Sequence, residues 1–360
     1  MIRKISHNKP TIGQAEERAV RRVLQSAWVA QGEEVEKFEN EFRAFLKQQS
    51  GQAVAVSSGT AALYITLISM GIGTNNEVII PTYVCSAVLN AVNLAGAKPV
   101  LVDIEKDDLN ISFEKTKNKI NKKTKAIILT HTYGLPAGID QFLKLKIPII
   151  EDCAQAIGAK YKGQPVGTFG KVAIFSFYAS KMLTTGHGGM IFSKDKNFIS
   201  KVKDFREFDG RKDYKPRFNF HMSDIQAAMG RVQLKKLKSF VSKRKSNANK
   251  YYHALKNFDV WPNPQRKKDS NFYRFLIRTK DARKIMKALD EKCIKTIVPI
   301  ENFELLHRYL KQNPKNFPRA EQVSKNSLSL PIYPSLTQPE VDYICKIIKM
   351  YGQSSKISQS

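Results

Sequence analysis

The stretch VAIFSFYASKMLTTGHGGMI, residues 172–191, decides how the chain is to be read. It opens with an apolar run, Val172–Phe177, of the length and composition of a buried strand. A short polar turn leads to Lys181, and Thr184–Gly189 is too rich in glycine to be helical. Apolar residues resume at Met190–Ser193 as another strand. A lysine in such a turn is confined, and confinement can depress its pKa until the amine becomes a nucleophile toward an aldehyde. Ser176, five residues earlier, offers a hydroxyl to a phosphate at the same strand end.

Working outward, the same grammar repeats. Short Val/Ile-rich strands at Ala53–Val56, Val78–Ile80, Pro99–Val102, Ala126–Leu129 and Ile147–Ile150 alternate with helical runs at Ala61–Met70, Ser86–Leu94 and Ile139–Leu145. This pattern predicts an α/β fold with a mostly parallel sheet covered by helices on both faces. In such sheets ligands bind beyond the carboxyl ends of the strands. Upstream, Val35, Phe38, Phe42 and Phe45 recur at helical spacing. Downstream, a long helix begins near residue 222 behind a Ser/Asp cap signal and crosses into a smaller α+β part. That part is expected to hold strands at Phe272–Ile277 and Lys295–Val298, a loop at Trp261–Pro264, and helices at Ala282–Leu289 and Pro339–Met350. The expected division is 1–240 for a large domain and 241–360 for a small one, ending in a frayed tail at Gly352–Ser360. There is no internal repeat.

Two further stations fall at strand ends. In Ser58-Gly59-Thr60-Ala61 a strand turns into a helix. The first helical N–H groups lack partners and the dipole favours anions, so the turn suits a phosphate. By itself it is equally an ordinary N-cap. In IPIIEDCAQAIGA, Asp152 follows a buried strand. A buried carboxylate needs a cation or a strong donor, such as a protonated heterocyclic nitrogen. By itself it too reads as a helix cap, for residues 153–158. Together, an anion cradle, a carboxylate and a confined lysine on one sheet edge match the three needs of pyridoxal 5'-phosphate.

Composition narrows the class. The 360 residues are 42% hydrophobic and 26% charged, as in ordinary globular proteins. Mean hydropathy is −0.37 and no apolar run approaches a membrane span of roughly 18 residues. MIRKISHNKPTIG lacks the apolar core of a secretory signal. Cys85, Cys153, Cys293 and Cys345 show no C-x-x-C or metal-ligand spacing, so no metal is expected, and they read as reduced thiols in a cytoplasmic protein. The net charge is +28. It is not confined to one arm: the first 240 residues carry 36 basic and 22 acidic side chains, the remainder 24 and 10. The dense runs Lys115–Lys125 and Lys235–Lys245 read as solvated faces, with little of the aromatic interleaving of a nucleic-acid binder. A basic protein also draws small anionic substrates.

In family order, AVSSGTAALYITL, GAKPVLVDIE, HTYGLPAGID, EDCAQAIGAKYKGQPVGTFG, FSFYASKMLTTGHGGMI and NFHMSDIQAAMGRVQL resemble the DegT/DnrJ/StrS family of sugar aminotransferases. The resemblance spans nearly the whole chain and implies the fold type I architecture of aspartate aminotransferase. It implies that Lys181 is the Schiff-base lysine, Asp152 the partner of the pyridine nitrogen, and Gln155 the contact to the ring 3-hydroxyl. Gly59, Thr60, Ala61 and Ser176 match the phosphate-holding positions. Asn219 matches an Asn that reaches the phosphate of a neighbouring subunit, which implies a homodimer with shared active sites. Three departures stand out: Cys85 or Tyr83 where an aromatic residue stacks on the ring, His187 where Glu is frequent, and His221 where Arg or Lys is common. The implied activity is amino transfer from an amino acid, glutamate by family expectation, to a keto sugar, nucleotide-linked, in amino-sugar or surface-polysaccharide synthesis. The rivals are a sugar dehydratase or a cyclitol aminotransferase on the same fold and, from another class, a non-catalytic regulatory or nucleic-acid-binding protein.

Overall fold

The structure, a computed structural model, describes residues 4–352. The expected tail beyond Gly352 and the first three residues lie outside them. The chain begins with two helices, α1 (Gln14–Gln25) and α2 (Glu33–Phe45). It then alternates through β1 (Gln52–Val56), α3 (Gly59–Ser69), β2 (Glu77–Pro81), α4 (Ser86–Leu94), β3 (Lys98–Val102), β4 (Thr124–Thr130), β5 (Ile149–Asp152), β6 (Val172–Ser176) and β7 (Gly189–Ser193). After α5 (Lys196–Arg206) comes α6 (Asp224–Ala254). The remainder holds β8 (Asp259–Trp261), β9 (Phe275–Arg278), α7 (Ala282–Glu291), β10 (Ser327–Leu330) and α8 (Gln338–Tyr351).

The large sheet runs β1-β7-β6-β5-β4-β2-β3. Its pairings are parallel except along β7, which is antiparallel to both β1 and β6. Six strands therefore end at one edge, and β7 alone begins there. The central strands are buried along their whole length, which is why they read as unbroken apolar runs instead of alternating ones.

Helix α2 uses Val35, Phe38 and Phe42 to enter the main core, where Phe42 packs edge-on against Phe175 with centroids 4.8 Å apart. Its N-terminus is capped from a distance: the Asp224 carboxylate accepts from the N–H groups of Gly32, Glu34 and Val35. That charge at the positive helix end also ties α2 to the start of α6. Ser223 and Gln226 form the capping box that opens α6. Ala227 and Leu234 of α6 pack in the main core, while Ala248 and Tyr251 pack in a second core with β9, α7 and α8. Helix α6 thus runs without interruption through residue 240. Ile5 joins the second core and bridges Ile294.

Four expectations change. Lys295–Val298 is not a strand: Ile297 makes a single bridge to Ser329, on the edge of β10 that β9 leaves open, while Ile294 bridges Ile5, so no ladder forms. Trp261 ends β8 instead of opening a loop. The segment after Asp152 is a turn, not a helix. The lysine runs are not wholly solvated: Lys115 reaches Asp103 at 3.0 Å and Lys236 reaches Glu16 at 2.7 Å. Helices α1 and α5 and the helix Pro318–Asn326 have no counterpart in the sequence reading. No described helix is long and apolar enough to cross a membrane.

Candidate active site

Strand β1 delivers Ser58 in extended conformation to the start of α3, where its Oγ accepts from the Ala61 N–H at 3.0 Å and its carbonyl accepts from Ala62. The N–H groups of Gly59 and Thr60 have no acceptor among the described residues. These are the free donors an anion would take. Two glycines make the approach possible. A Cβ on Gly59 would lie 2.8 Å from the Ser176 Cβ, and one on Gly189 would lie 2.4 Å from the Ser58 carbonyl oxygen. In the ladders Ser176 faces Gly189, and Gly189 faces Val56. The cradle residues Gly59, Thr60, Ala61 and Ser176 therefore converge at the carboxyl ends of β1 and β6.

One strand over, Asp152 ends β5 opposite Ile174, so its Cα lies about 8 Å from that of Ser176 by strand spacing and rise. Asp152, Gln155 and Lys181 line one cleft, with about 380 Å³ of empty volume, together with Tyr83, Cys85 and Ile300. Asp152 is buried, and the one hydrogen bond to its carboxylate among the described residues comes from the Ala154 N–H at 2.9 Å. Burial pushes its carboxyl above the usual range, against the pull of that N–H and of Lys181. The Tyr133 N–H fixes the Gln155 Oε1 at 2.9 Å, so the amide NH₂ is the free end. Lys181 sits in the turn after β6, its Nζ 5.5 Å from the centre of the Tyr273 ring.

A single carboxylate with one backbone donor, held out of water beside an amine, is unfinished in protein terms. A protonated ring nitrogen would complete it, and free N–H groups about one cofactor length away would take the phosphate. The residues present thus fit pyridoxal phosphate. Wider grooves elsewhere, such as that along Asn249, Lys256 and Asp259, bring together no comparable set.

Several neighbours support the site without entering it. Glu151, buried, accepts from the N–H groups of Gly167, Phe169 and Gly170 and lies 3.1 Å from the His131 Nε2. His131 Nδ1 accepts from the Ala137 N–H, so its Nε2 carries the proton that Glu151 takes. With both ring nitrogens engaged, the grouping of His131, Glu151 and Cys153 is a hydrogen-bonded strut and not a metal centre. This strut locks β5 just before Asp152.

Tyr83 is buried and packs edge-on against Tyr133, so the wall open at this position is Cys85. The protein that surrounds the Cys85 thiol on its other sides holds it above the usual range. His187 is exposed against Tyr178, and His221 pairs with Glu207 at 3.1 Å. Asn219 is exposed and does not line the cleft of its own chain. Trp28 is 62% exposed.

Sequence reasoning missed Tyr273, Arg274, Arg244, His7 and Asn8, which gather beside the lysine turn. They come from opposite ends of the chain, and none sits in a motif.

The chain matches the model of the DegT/DnrJ/EryC1/StrS aminotransferase family over residues 10–349. It is 32% identical to the GDP-perosamine synthase of Escherichia coli O157:H7, over 95% of this chain and 97% of the relative. Among solved structures, DesV of S. venezuelae, in complex with a ketimine intermediate, superposes with a TM-score of 0.87 at 30% identity, covering 95% of each chain. A Streptococcus pneumoniae chain assigned as a sugar aminotransferase, in its PLP form, gives 0.90 at 26% identity, covering 97% of this chain and 98% of its own. Likeness on this scale, over a sheet edge that carries the lysine, the carboxylate and the cradle, settles the kinship: the chain belongs to the DegT/DnrJ/EryC1/StrS aminotransferase family and is a pyridoxal-phosphate-dependent aminotransferase of fold type I.

Proposed function

We propose that this enzyme moves an amino group from an amino acid, L-glutamate in the first instance, to a keto sugar carried on a nucleotide. The observation that carries the reading is the meeting of Lys181, Asp152 and Gln155 in one cleft at the carboxyl edge of the sheet. Pyridoxal phosphate supplies there an electron sink for the pair left when the donor α-carbon gives up its proton. Lys181 would hold the cofactor covalently, and its Nζ, when free of that bond, would take the proton from the donor α-carbon. Asp152 would keep a proton on the ring nitrogen, and the Gln155 amide would donate to the ring hydroxyl. The N–H groups of Gly59 and Thr60, with Ala61 and the Ser176 hydroxyl, hold the phosphate. Asn219, exposed here, reaches the phosphate of a second copy, which makes the working unit a homodimer; the compartment is the cytoplasm. In the same reading residues 1–240 form the cofactor lobe and 241–360 the smaller lobe.

The likeness to GDP-perosamine synthase supports the nucleotide-linked acceptor. The test is a half-reaction. Cofactor-loaded protein is mixed with L-glutamate and should give stoichiometric 2-oxoglutarate and pyridoxamine phosphate. A panel of keto-sugar nucleotides should then restore the pyridoxal form. Borohydride followed by peptide mapping should place the cofactor on Lys181. Sugar dehydration without 2-oxoglutarate, or a cofactor fixed on another lysine, would overturn the assignment.

A further inference from the structure

Beside the lysine turn lies a small crevice with about 290 Å³ of empty volume, lined by His7, Asn8, Ser180, Arg244, Tyr273 and Arg274 among others. Its chemistry is lopsided. Arg244 is 3% exposed, yet its bonds go to the carbonyls of Phe272 and Tyr273 through Nη1 alone. Arg274 stacks over the rings of Tyr133 and Tyr273, 5.6 and 5.1 Å from their centres, and its Nη1 lies 3.3 Å from the His7 Nε2. The Nε of each arginine is buried with no hydrogen-bond partner. Neither guanidinium has a carboxylate within ion-pair distance among the described residues.

A buried guanidinium beside a half-buried one, neither with a counter-charge, is costly, and a protein keeps such an arrangement where a ligand brings the missing anion. The field is visible in the neighbours. Burial raises the Tyr273 phenol, but Lys181 and Arg274 pull it down to about 8, and burial with the two arginines lowers His7 to about 3. The Tyr273 ring touches both the Lys181 ammonium and the Arg274 guanidinium, so the crevice adjoins the place where an amino acid must present its amine. The Asn8 side chain donates to the Ser180 carbonyl and closes the far side.

We propose that Arg244 and Arg274 form the subsite that binds a carboxylate of the amino donor. This rests on the aminotransferase reading and deepens it: the chain reads its donor with a pocket built from its own N-terminal segment, α6 and β9. The shared chemistry is carboxylate, and the donor brings it from the α-position or from the distal end of a dicarboxylic acid.

The experiment uses cofactor-loaded wild type, Arg274→Gln, Arg274→Lys and Arg244→Gln. KM and kcat are measured in the half-reaction with L-glutamate and with L-alanine, and succinate affinity is measured by calorimetry. The donor KM should rise about 30- to 100-fold in Arg274→Gln, as expected for the loss of charge-assisted hydrogen bonds, with kcat and cofactor content little changed. Arg274→Lys should recover part of it, and succinate should weaken in parallel. A loss for both donors assigns the α-carboxylate; a loss for glutamate alone assigns the distal one. Should Arg244→Gln fail to fold, the half-buried Arg274 decides. Unchanged donor KM and unchanged succinate affinity in a folded Arg274→Gln protein would overturn the proposal. If wild type turns over no amino acid, the aminotransferase reading fails, while the succinate titration still reports on the crevice.

Discussion

A methyl group added at Gly189 tests how the phosphate cradle is built. Its Cβ would stand 2.4 Å from the Ser58 carbonyl oxygen and 2.9 Å from the Gly59 nitrogen, both backbone atoms. Relief needs a displacement of about 1 Å, given carbon–oxygen contact near 3.3 Å. Strand β7 cannot retreat, since Gly189 is paired with Val56 on one side and Ser176 on the other. Overpacking of this kind costs about 3 kcal/mol at the upper end of its usual range. For 360 residues, at about 2 cal/mol/K of unfolding entropy per residue, that is a fall of about 4 °C in Tm. The larger effect falls on the ligand. A cradle moved by 1 Å gives up one or two charge-assisted hydrogen bonds, so cofactor affinity should fall about 10- to 100-fold. Gly73→Ala is the control, since its Cβ would meet its nearest neighbour, the Ala95 carbonyl, at an ordinary 3.5 Å. The assay is fluorescence titration with pyridoxal phosphate beside a thermal melt. A Gly189→Ala protein that binds the cofactor and melts like Gly73→Ala would refute the reasoning.

Three more outcomes follow from the geometry. Asp152→Asn should keep the fold, since burial already disfavours that charge, and lose on the order of a hundredfold or more in half-reaction rate; full turnover would remove its role at the ring nitrogen. Glu151→Gln keeps one acceptor oxygen but turns an NH₂ toward donors, either the Gly167 N–H and His131 or the Phe169 and Gly170 N–H groups, and should cost about 3–5 kcal/mol, a Tm loss of about 4–7 °C; a melt within about 1 °C of wild type would contradict the strut. His7 is held near 3 by burial and the two arginines, below its value in the unfolded chain. Between about pH 6.5 and 3 the unfolded state therefore binds a proton that the folded state refuses, and stability falls as the pH is lowered through that window. His7→Asn should flatten this part of the Tm–pH curve, and an unchanged slope would count against the burial of a neutral ring.

The sheet was legible because its central strands are buried on both faces and carry runs such as AIILT and VAIFS, while Pro81, Asp103 and Asp152 mark the ends of others. Ser86–Leu94 could be bounded to the residue, because its apolar residues Val88, Leu89, Ala91 and Val92 keep helical spacing and Gly96 stops the run. Helix α1 was not legible: QAEERAVRRVLQ buries Ala19 and Val23 and covers its remaining length with charge, so its apolar stripe is narrow. Helix α5 hides for the same reason, with Phe198, Ile199 and Val202 spaced among lysines. Lys295–Val298 misled because β-branched residues favour a strand wherever they stand, while here the chain divides between two partners, Ile294 with Ile5 and Ile297 with Ser329. In the site, Lys181 and Asp152 announced themselves through strand-end position, and Gln155 through the family resemblance alone. Arg244 and Arg274 did not, because an arginine inside a long helix or just ahead of a strand reads as surface until the fold shows what surrounds it. The distant cap that Asp224 places on α2 also depends on a contact 192 residues apart.

Helix α6 sets a mechanical rule for the whole molecule. Its 31 residues make a rod of about 46 Å, anchored in both hydrophobic cores. A continuous rod of hydrogen-bonded turns does not fold like a door, so substrate entry cannot rely on a hinge at residue 240. Any breathing between the halves has to be taken up as torsion about the rod, with slack in the lighter threads that run alongside it, chiefly the approach to Ile5 and the passage from Ile294 to Ile300.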